Sequence, residues 1–365
     1  MSEWQTFCLK DLGKIVGGAT PSTNNPKNYG NKIAWITPKD LSTLQGRYIK
    51  KGSRSISRLG FKSCSCVLLP KHAILFSSRA PIGYVAIAKK RLCTNQGFKS
   101  IIPNKKIYFE FLYYLLKYHK DNISNIGGGT TFREVSGATL GLFKVKIPPT
   151  YYEQQKIART LSILDQKIEN NHKINELLHT LAYKIYEYYF KYKPKNAKLE
   201  QIIIENPKSS IMVKNAQKTQ DKYPFFTSGD NILFYPKAII DGRNCFLNTG
   251  GNAGIKFYVG KASYSTDTWC ICANEFSDYL YLLLSSIKNH INQSFFQGTS
   301  LKHLQKNLLK KYPIYMPSAH EIKKFNQIII PLLTLISINT RTSKKLEQIR
   351  DFLLPLLLKQ QVKPQ

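Results

Sequence analysis

Nucleophiles, general bases and metal ligands are the first residue types to look for, and nowhere in these 365 residues does their spacing build a catalytic constellation. There is no Walker phosphate loop, no Gly-x-Gly-x-x-Gly, no His-Glu-x-x-His and no Gly-x-Ser-x-Gly. Asn25-Pro26-Lys27 and Asn206-Pro207-Lys208 fall short of the Asn-Pro-Pro-aromatic motif that an adenine methyltransferase carries, and read as turns. His172 and His179 stand two helical turns apart, too far to share a metal. The seven cysteines include only two close pairs, Cys64-x-Cys66 and Cys270-x-Cys272. That is neither a disulfide framework nor zinc spacing, and cysteines alternating on strands read as core residues. The turn Gly127-Gly128-Gly129-Thr130-Thr131-Phe132-Arg133 has the composition to hold a phosphate, but a glycine run before a strand first serves a turn that needs positive φ.

What remains is charge. Lys and Arg number 54 against 22 Asp and Glu, a net charge of +32, which points to a polyanionic partner. The chain is also rich in Ile, Asn and Tyr, as AT-biased coding produces, so part of the lysine excess is compositional. Basic residues at loop positions are the candidate DNA contacts: Lys39, Arg79, Lys89, Lys90, Lys99 and Arg133 in the first half, Arg243, Lys256, Lys261 and Lys302 in the second. Arginine suits guanine edges and lysine suits phosphates, although each residue taken singly reads as a solvated surface charge.

The elements that position these residues come in two copies. Pro149-Thr150-Tyr151-Tyr152-Glu153 and Pro317-Ser318-Ala319-His320-Glu321 each place Glu three residues after a hydroxyl residue, the capping-box start of a helix. From there a 4-3 spacing runs through Ile157, Leu161, Leu164, Ile168, Asn171, Asn175, Leu178, Ala182, Ile185 and Tyr189, the seam of a coiled coil. A shift of 168 residues carries it onto Phe325, Ile329, Leu332, Ile336, Asn339, Ser343, Leu346, Arg350, Leu353 and Leu357. Asn171 and Asn339 put a polar layer at the same place in both copies, a device that fixes register. Forty helical residues extend roughly 60 Å, longer than a compact domain needs, so the pair reads as a spacer. Pro331 and Pro355 are expected to kink or interrupt the second copy.

Before each helix lies a run of strand-like segments. In the first half these are Ile33–Thr37, Cys64–Leu69, Ala73–Phe76 and Tyr84–Ala88, then a helix over Phe109–Tyr118 and a strand over Phe143–Ile147. The second half echoes them in order: Trp35-Ile36-Thr37 in Phe225-Phe226-Thr227, Pro81-Ile82-Gly83 in Ala253-Gly254-Ile255, Gly129-Thr130-Thr131 in Gly298-Thr299-Ser300. The order is therefore a domain over 1–149, a long helix over 150–193, a second domain over 194–317 and a second long helix over 318–365. The fold class expected is α+β, with two tandem domains of mixed sheet and helix, an antiparallel coiled coil and an internal pseudo-two-fold repeat. With no basic-then-apolar leader and no apolar stretch beyond Ile328–Ile338, a cytoplasmic chain is expected.

Gly17-Gly18-Ala19-Thr20-Pro21, Ser78-Arg79-Ala80-Pro81-Ile82-Gly83, Asn95-Gln96-Gly97-Phe98-Lys99, Gly128-Gly129-Thr130-Thr131 and Pro148-Pro149 followed by Glu153-Gln154-Gln155-Lys156-Ile157-Ala158 occur in the order found in the specificity subunits of Type I restriction-modification systems. The chain resembles that family over nearly its whole length. The resemblance implies two target recognition domains, each reading half of a split double-stranded DNA sequence, and helices that dock two methyltransferase subunits. It also implies an ATP-dependent restriction subunit in the complex and no catalysis here. S-adenosylmethionine, ATP and Mg would belong to the partner subunits. The second domain departs from the pattern, with Asn248-Thr249-Gly250-Gly251 where the first has its Ser-Arg-Ala-Pro stretch. Two other readings of the residues stay open, a structural adaptor joining two proteins through its helices and a nuclease with unrecognised acidic ligands.

Overall fold

Both long helices begin at the expected caps. Thr150 Oγ1 accepts the Glu153 N–H at 3.2 Å and donates to the Glu153 carboxylate at 3.1 Å. At the second start the Ser318 N–H donates to Glu321 at 2.9 Å while Ser318 Oγ accepts the Glu321 N–H at 3.4 Å. The backbone N–H of Ser318 and the hydroxyl of Tyr315 hold the Glu321 carboxyl low, at about 2. The computed structural model describes residues 3–128, 133–216 and 222–364. Gly129-Thr130-Thr131-Phe132 of the glycine-rich turn lie outside them.

The first long helix spans Tyr151–Tyr186 and closes in a wide π-type turn, Glu187–Lys191. The second spans Ala319–Leu358 without a break, so neither Pro331 nor Pro355 interrupts it. Pro331 lies on the exposed face, where solvent takes over the bond its missing N–H would have made, and Pro355 is within the last turn.

The chain forms two compact units, Met1–Asn170 with Lys344–Gln365, and Asn171–Ser343. In the first, a five-stranded sheet runs in the order Gly13–Gly17, Lys99–Pro103, Ile74–Phe76, Val85–Ala88, Tyr48–Ile49, antiparallel except for the last pair. Beside it strand Tyr29–Ile36 pairs antiparallel with Arg54–Ile56 and parallel with Cys93–Thr94. Cys64–Leu69, expected as a strand, is a loop whose β-bridge, among the described residues, is that of Leu69 to Leu92. Its apolar residues fill the space against Trp35 and Cys93 without joining a ladder. The domain helix, Phe109–Asn125, lays Phe111, Leu112 and Leu115 against Ile157, Ala158 and Leu161 of the first long helix and Leu354, Leu357 and Leu358 of the second.

The second unit repeats this plan. Its four-stranded antiparallel sheet has the order Ile204–Glu205, Thr268–Cys272, Arg243–Asn248, Ile255–Val259. Phe225–Phe226 pairs parallel with Ser263–Tyr264, the counterpart of Trp35–Ile36 against Cys93–Thr94. Helix Ser277–Ser286 packs under the sheet, with Tyr279, Leu280 and Leu283 against Ala182, Tyr186, Phe190, Ile322, Phe325 and Ile329.

Within each unit the long-helix segments run antiparallel. In the second, Asn171 Nδ2 donates to Ser343 Oγ at 3.1 Å and Asn339 Nδ2 to Asn175 Oδ1 at 2.9 Å, so each residue meets the repeat equivalent of its neighbour. Ile157, Leu161, Ile168, Ile329 and Ile336 are buried; Leu164, Leu178, Ile185, Leu332, Leu346 and Leu353 are half-buried. Leu333 and Leu354, one residue from expected seam positions, are buried instead, because the domain helices widen the apolar face the long helices must present.

Candidate nucleic-acid interface

In the first unit, motifs far apart in sequence meet in one cluster of loops. Past strand Ile74–Phe76 the register with Lys99–Pro103 carries on through the bridge Ser77–Phe98, and the backbone groups beyond it find partners in neighbouring loops. The Ser78 N–H donates to Gly97 O at 2.8 Å, and Ser78 O accepts the Val135 N–H at 3.0 Å. Ala19 joins through its N–H to Thr94 O at 3.0 Å, with Thr20 bonded to Gln96. Gly18 is required there, since a Cβ would lie 2.1 Å from the Asn95 carbonyl oxygen.

The second unit builds the same frame from different residues. The Thr249 N–H donates to Asp267 O at 3.2 Å and Thr249 O accepts the Leu304 N–H at 3.0 Å, matching the two bonds of Ser78. Gly251 adds a bond to Lys302 O at 2.9 Å. The departure in residue type at Asn248-Thr249-Gly250-Gly251 therefore leaves the backbone plan intact.

The expected contact residues fall into three groups. Arg79, Lys99 and Arg133 stand at the first loop cluster, with Lys39 next to Pro38, which packs on Gly97. Glu134 bridges Arg79 and Lys99 at 3.5 and 3.3 Å, pairs exposed enough to be worth little and to exchange readily for phosphate. Lys302 stands at the second cluster. Lys89, Lys90 and Lys261 are exposed but lie at the opposite ends of their strands, past Ala88 and Val259. Lys256 and Arg243 turn inward. Lys256 Nζ donates to Thr227 O at 2.8 Å and Asn248 Oδ1 at 3.1 Å, and burial pulls its pKa down. Arg243, proposed from sequence as a DNA contact, grips Asp278, whose carboxylate is 2% exposed, because a carboxylate buried under the sheet needs a cation.

Gln96 in the first cluster and Asn252 and His303 in the second are exposed polar residues that charge alone did not single out. Polar side chains with both donors and acceptors at loops flanked by glycine were the signal for them. His179 lies 3.4 Å from the Tyr281 hydroxyl, and no metal-binding cluster of three His, Cys, Asp or Glu occurs among the described residues. Nor, among them, is any helix long and apolar enough to cross a membrane.

The profile of the Type I restriction modification DNA specificity domain matches residues 1–180 and again 195–348. The MjaIX specificity subunit of Methanocaldococcus jannaschii is 33% identical, over 98% of this chain and 93% of that protein. The HindI specificity subunit of Haemophilus influenzae is 30% identical over 46% of this chain and 37% of its own length. Among solved structures, the S subunit of a Type I system from M. genitalium superposes with a TM-score of 0.65, at 18% identity, over 97% of this chain and 96% of that one, a likeness of fold.

Proposed function

The chain belongs to the family of Type I restriction-modification DNA specificity subunits, which recognise DNA and leave catalysis to other subunits, and from that premise we propose how its parts divide the work. Each domain reads one half of a bipartite double-stranded target through its loop cluster. The observation that carries this is the hydrogen-bond frame made twice, at Ser78 and at Thr249, with different side chains mounted on it. A shared frame with unlike side chains suits two domains that approach DNA alike and read different bases.

The long helices set the gap between the half-sites and dock two methyltransferase subunits, to which an ATP-dependent restriction subunit is added. Apolar side chains left on the outer helix faces support the docking: Ile174, Leu177 and Leu181 in the second unit, Ile163, Ile349 and Phe352 in the first. Leu177 is 71% exposed and Phe352 68%, more than a helix serving only as a spacer has reason to leave in water. S-adenosylmethionine, ATP and Mg are held by those partners, and the assembly works in the cytoplasm.

Two measurements test this reading. Sequencing of methylated DNA after co-expression with the methyltransferase partner yields a split motif with a modified adenine in each half. An unmodified genome despite complex formation favours the adaptor reading. In salt titrations of DNA binding, replacing Lys39 and Arg133 with Gln lowers the slope of log K against log salt by about 1–2, the loss of one or two phosphate contacts. Replacing Lys89 and Lys90, at the far ends of the strands, leaves the slope unchanged.

A further inference from the structure

In each unit the domain meets its own stretch of long helix through an arginine bridge. Arg47 precedes strand Tyr48–Ile49 and is 3% exposed. Its Nη1 is 3.1 Å from Glu110 on the domain helix, and its Nε is 3.1 Å from Glu169 on the first long helix. The Arg47 backbone N–H donates to that same Glu169 oxygen at 2.9 Å. Gly46 makes the approach possible: its φ is +124°, and a Cβ there would meet the Glu169 side chain at 3.1 Å.

In the second unit Arg243 opens strand Arg243–Asn248. Two of its nitrogens hold both carboxylate oxygens of Asp278 on the domain helix, and its Nη1 donates to Thr334 Oγ1 on the second long helix at 3.0 Å. A backbone donation to the long helix recurs as well, from the Val259 N–H to Ser337 Oγ at 3.1 Å.

The 168-residue shift of the repeat carries Glu110 onto Asp278, and Glu169, which takes the Arg47 backbone N–H, onto Ser337, which takes that of Val259; Thr334, which the Arg243 side chain meets, falls instead on Gln166. The arginines do not correspond. Arg243–Asn248 pairs with its neighbours as Ile74–Phe76 does in the first unit, which puts His72, stacked on Phe109 at 3.9 Å, where Arg243 would be expected. Two different chain segments therefore deliver a guanidinium to corresponding carboxylates of the domain helices and on to the long helix. Burying such an ion bridge is a poor route to stability, since the desolvation cost offsets most of the attraction. What a guanidinium adds over an apolar contact is direction, because its donors leave in one plane at set angles.

We propose that Arg47 and Arg243 are positioning residues, each fixing the angle at which its recognition domain stands on the long helix and hence the gap between half-sites that the subunit accepts. The inference rests on the bipartite reading above. The full chain with its methyltransferase partner is tested on duplexes that carry the half-sites at the native gap or one base pair shorter or longer. With Arg47→Lys, which keeps the charge and loses the fork, preference for the native gap falls by roughly ten- to a hundredfold, up to the loss that a 1 Å misplacement brings. The half-site sequence preference and the melting temperature stay close to wild type. Glu169→Gln, which leaves Arg47 paired with Glu110, moves the preference in the same direction by less, and carries the test if Arg47→Lys does not fold. A folded variant that keeps the wild-type preference, or loses activity equally at every gap, overturns the inference while the bipartite reading stands. A wild-type complex indifferent to the gap overturns both.

Discussion

Arg350→Ala lowers the stability of the chain by about 3–5 kcal/mol, the cost of leaving a buried carboxylate without its cation. Arg350 Nη1 lies 2.7 Å from Asp165 Oδ1, with the two side chains 12% and 6% exposed. The Tyr114 hydroxyl donates to the other Asp165 oxygen at 2.6 Å, and burial together with that carboxylate raises its pKa so that it stays a donor. Truncation to alanine removes the only cation paired with Asp165 among the described residues, while the carboxylate remains enclosed by the two long helices and the domain helix. Urea titration reads the loss as a lower midpoint. The combined replacement Tyr114→Phe, Asp165→Leu and Arg350→Met removes the buried carboxylate together with both groups that hold it, leaves only the exposed Asp351 of the bridge, and returns most of the stability, because no carboxylate is then left desolvated. A loss below about 1 kcal/mol for Arg350→Ala would mean that water reaches the pair as it does a surface salt bridge.

Matched insertions of four residues, one beside Asn171 and one beside Asn339, change the DNA gap that the subunit accepts. Four residues add about 6 Å of helix and turn it by about 40° beyond a full turn. At about 3.4 Å per base pair the accepted gap grows by roughly two base pairs, and methylation at the native gap falls below detection. Both helices must be lengthened. An insertion in the first alone pulls Asn171 from Ser343 and Asn175 from Asn339, and the buried amides that lose their partners disrupt assembly before spacing can be read. Mapping of methylated sites in cells carrying the paired insertion distinguishes the outcomes. An unchanged motif would show that the helices do not set the gap.

Local chemistry was sufficient for much of this protein. The capping boxes at Thr150 and Ser318 need only residues three apart, so they were legible in the sequence and stand as expected. The repeat was equally plain, because glycine, serine and proline punctuate the same turns in both halves, and Trp35–Ile36 and Phe225–Phe226 occupy matching parallel pairs. Tests that look only along the chain failed where a partner arrives from far away. Arg350 sat in an apolar heptad with nothing nearby in sequence to announce Asp165, 185 residues off. Arg243 read as a DNA contact until Asp278 was brought beneath it, and Cys64–Leu69 read as a strand where the chain instead packs its apolar residues on Trp35 and Cys93. Residue type fixes which bonds a side chain is able to make, and spacing fixes the element that carries it. Whether a charge meets DNA or a buried carboxylate depends on which distant residues folding sets beside it, since burial and pairing, not charge, determine its energy.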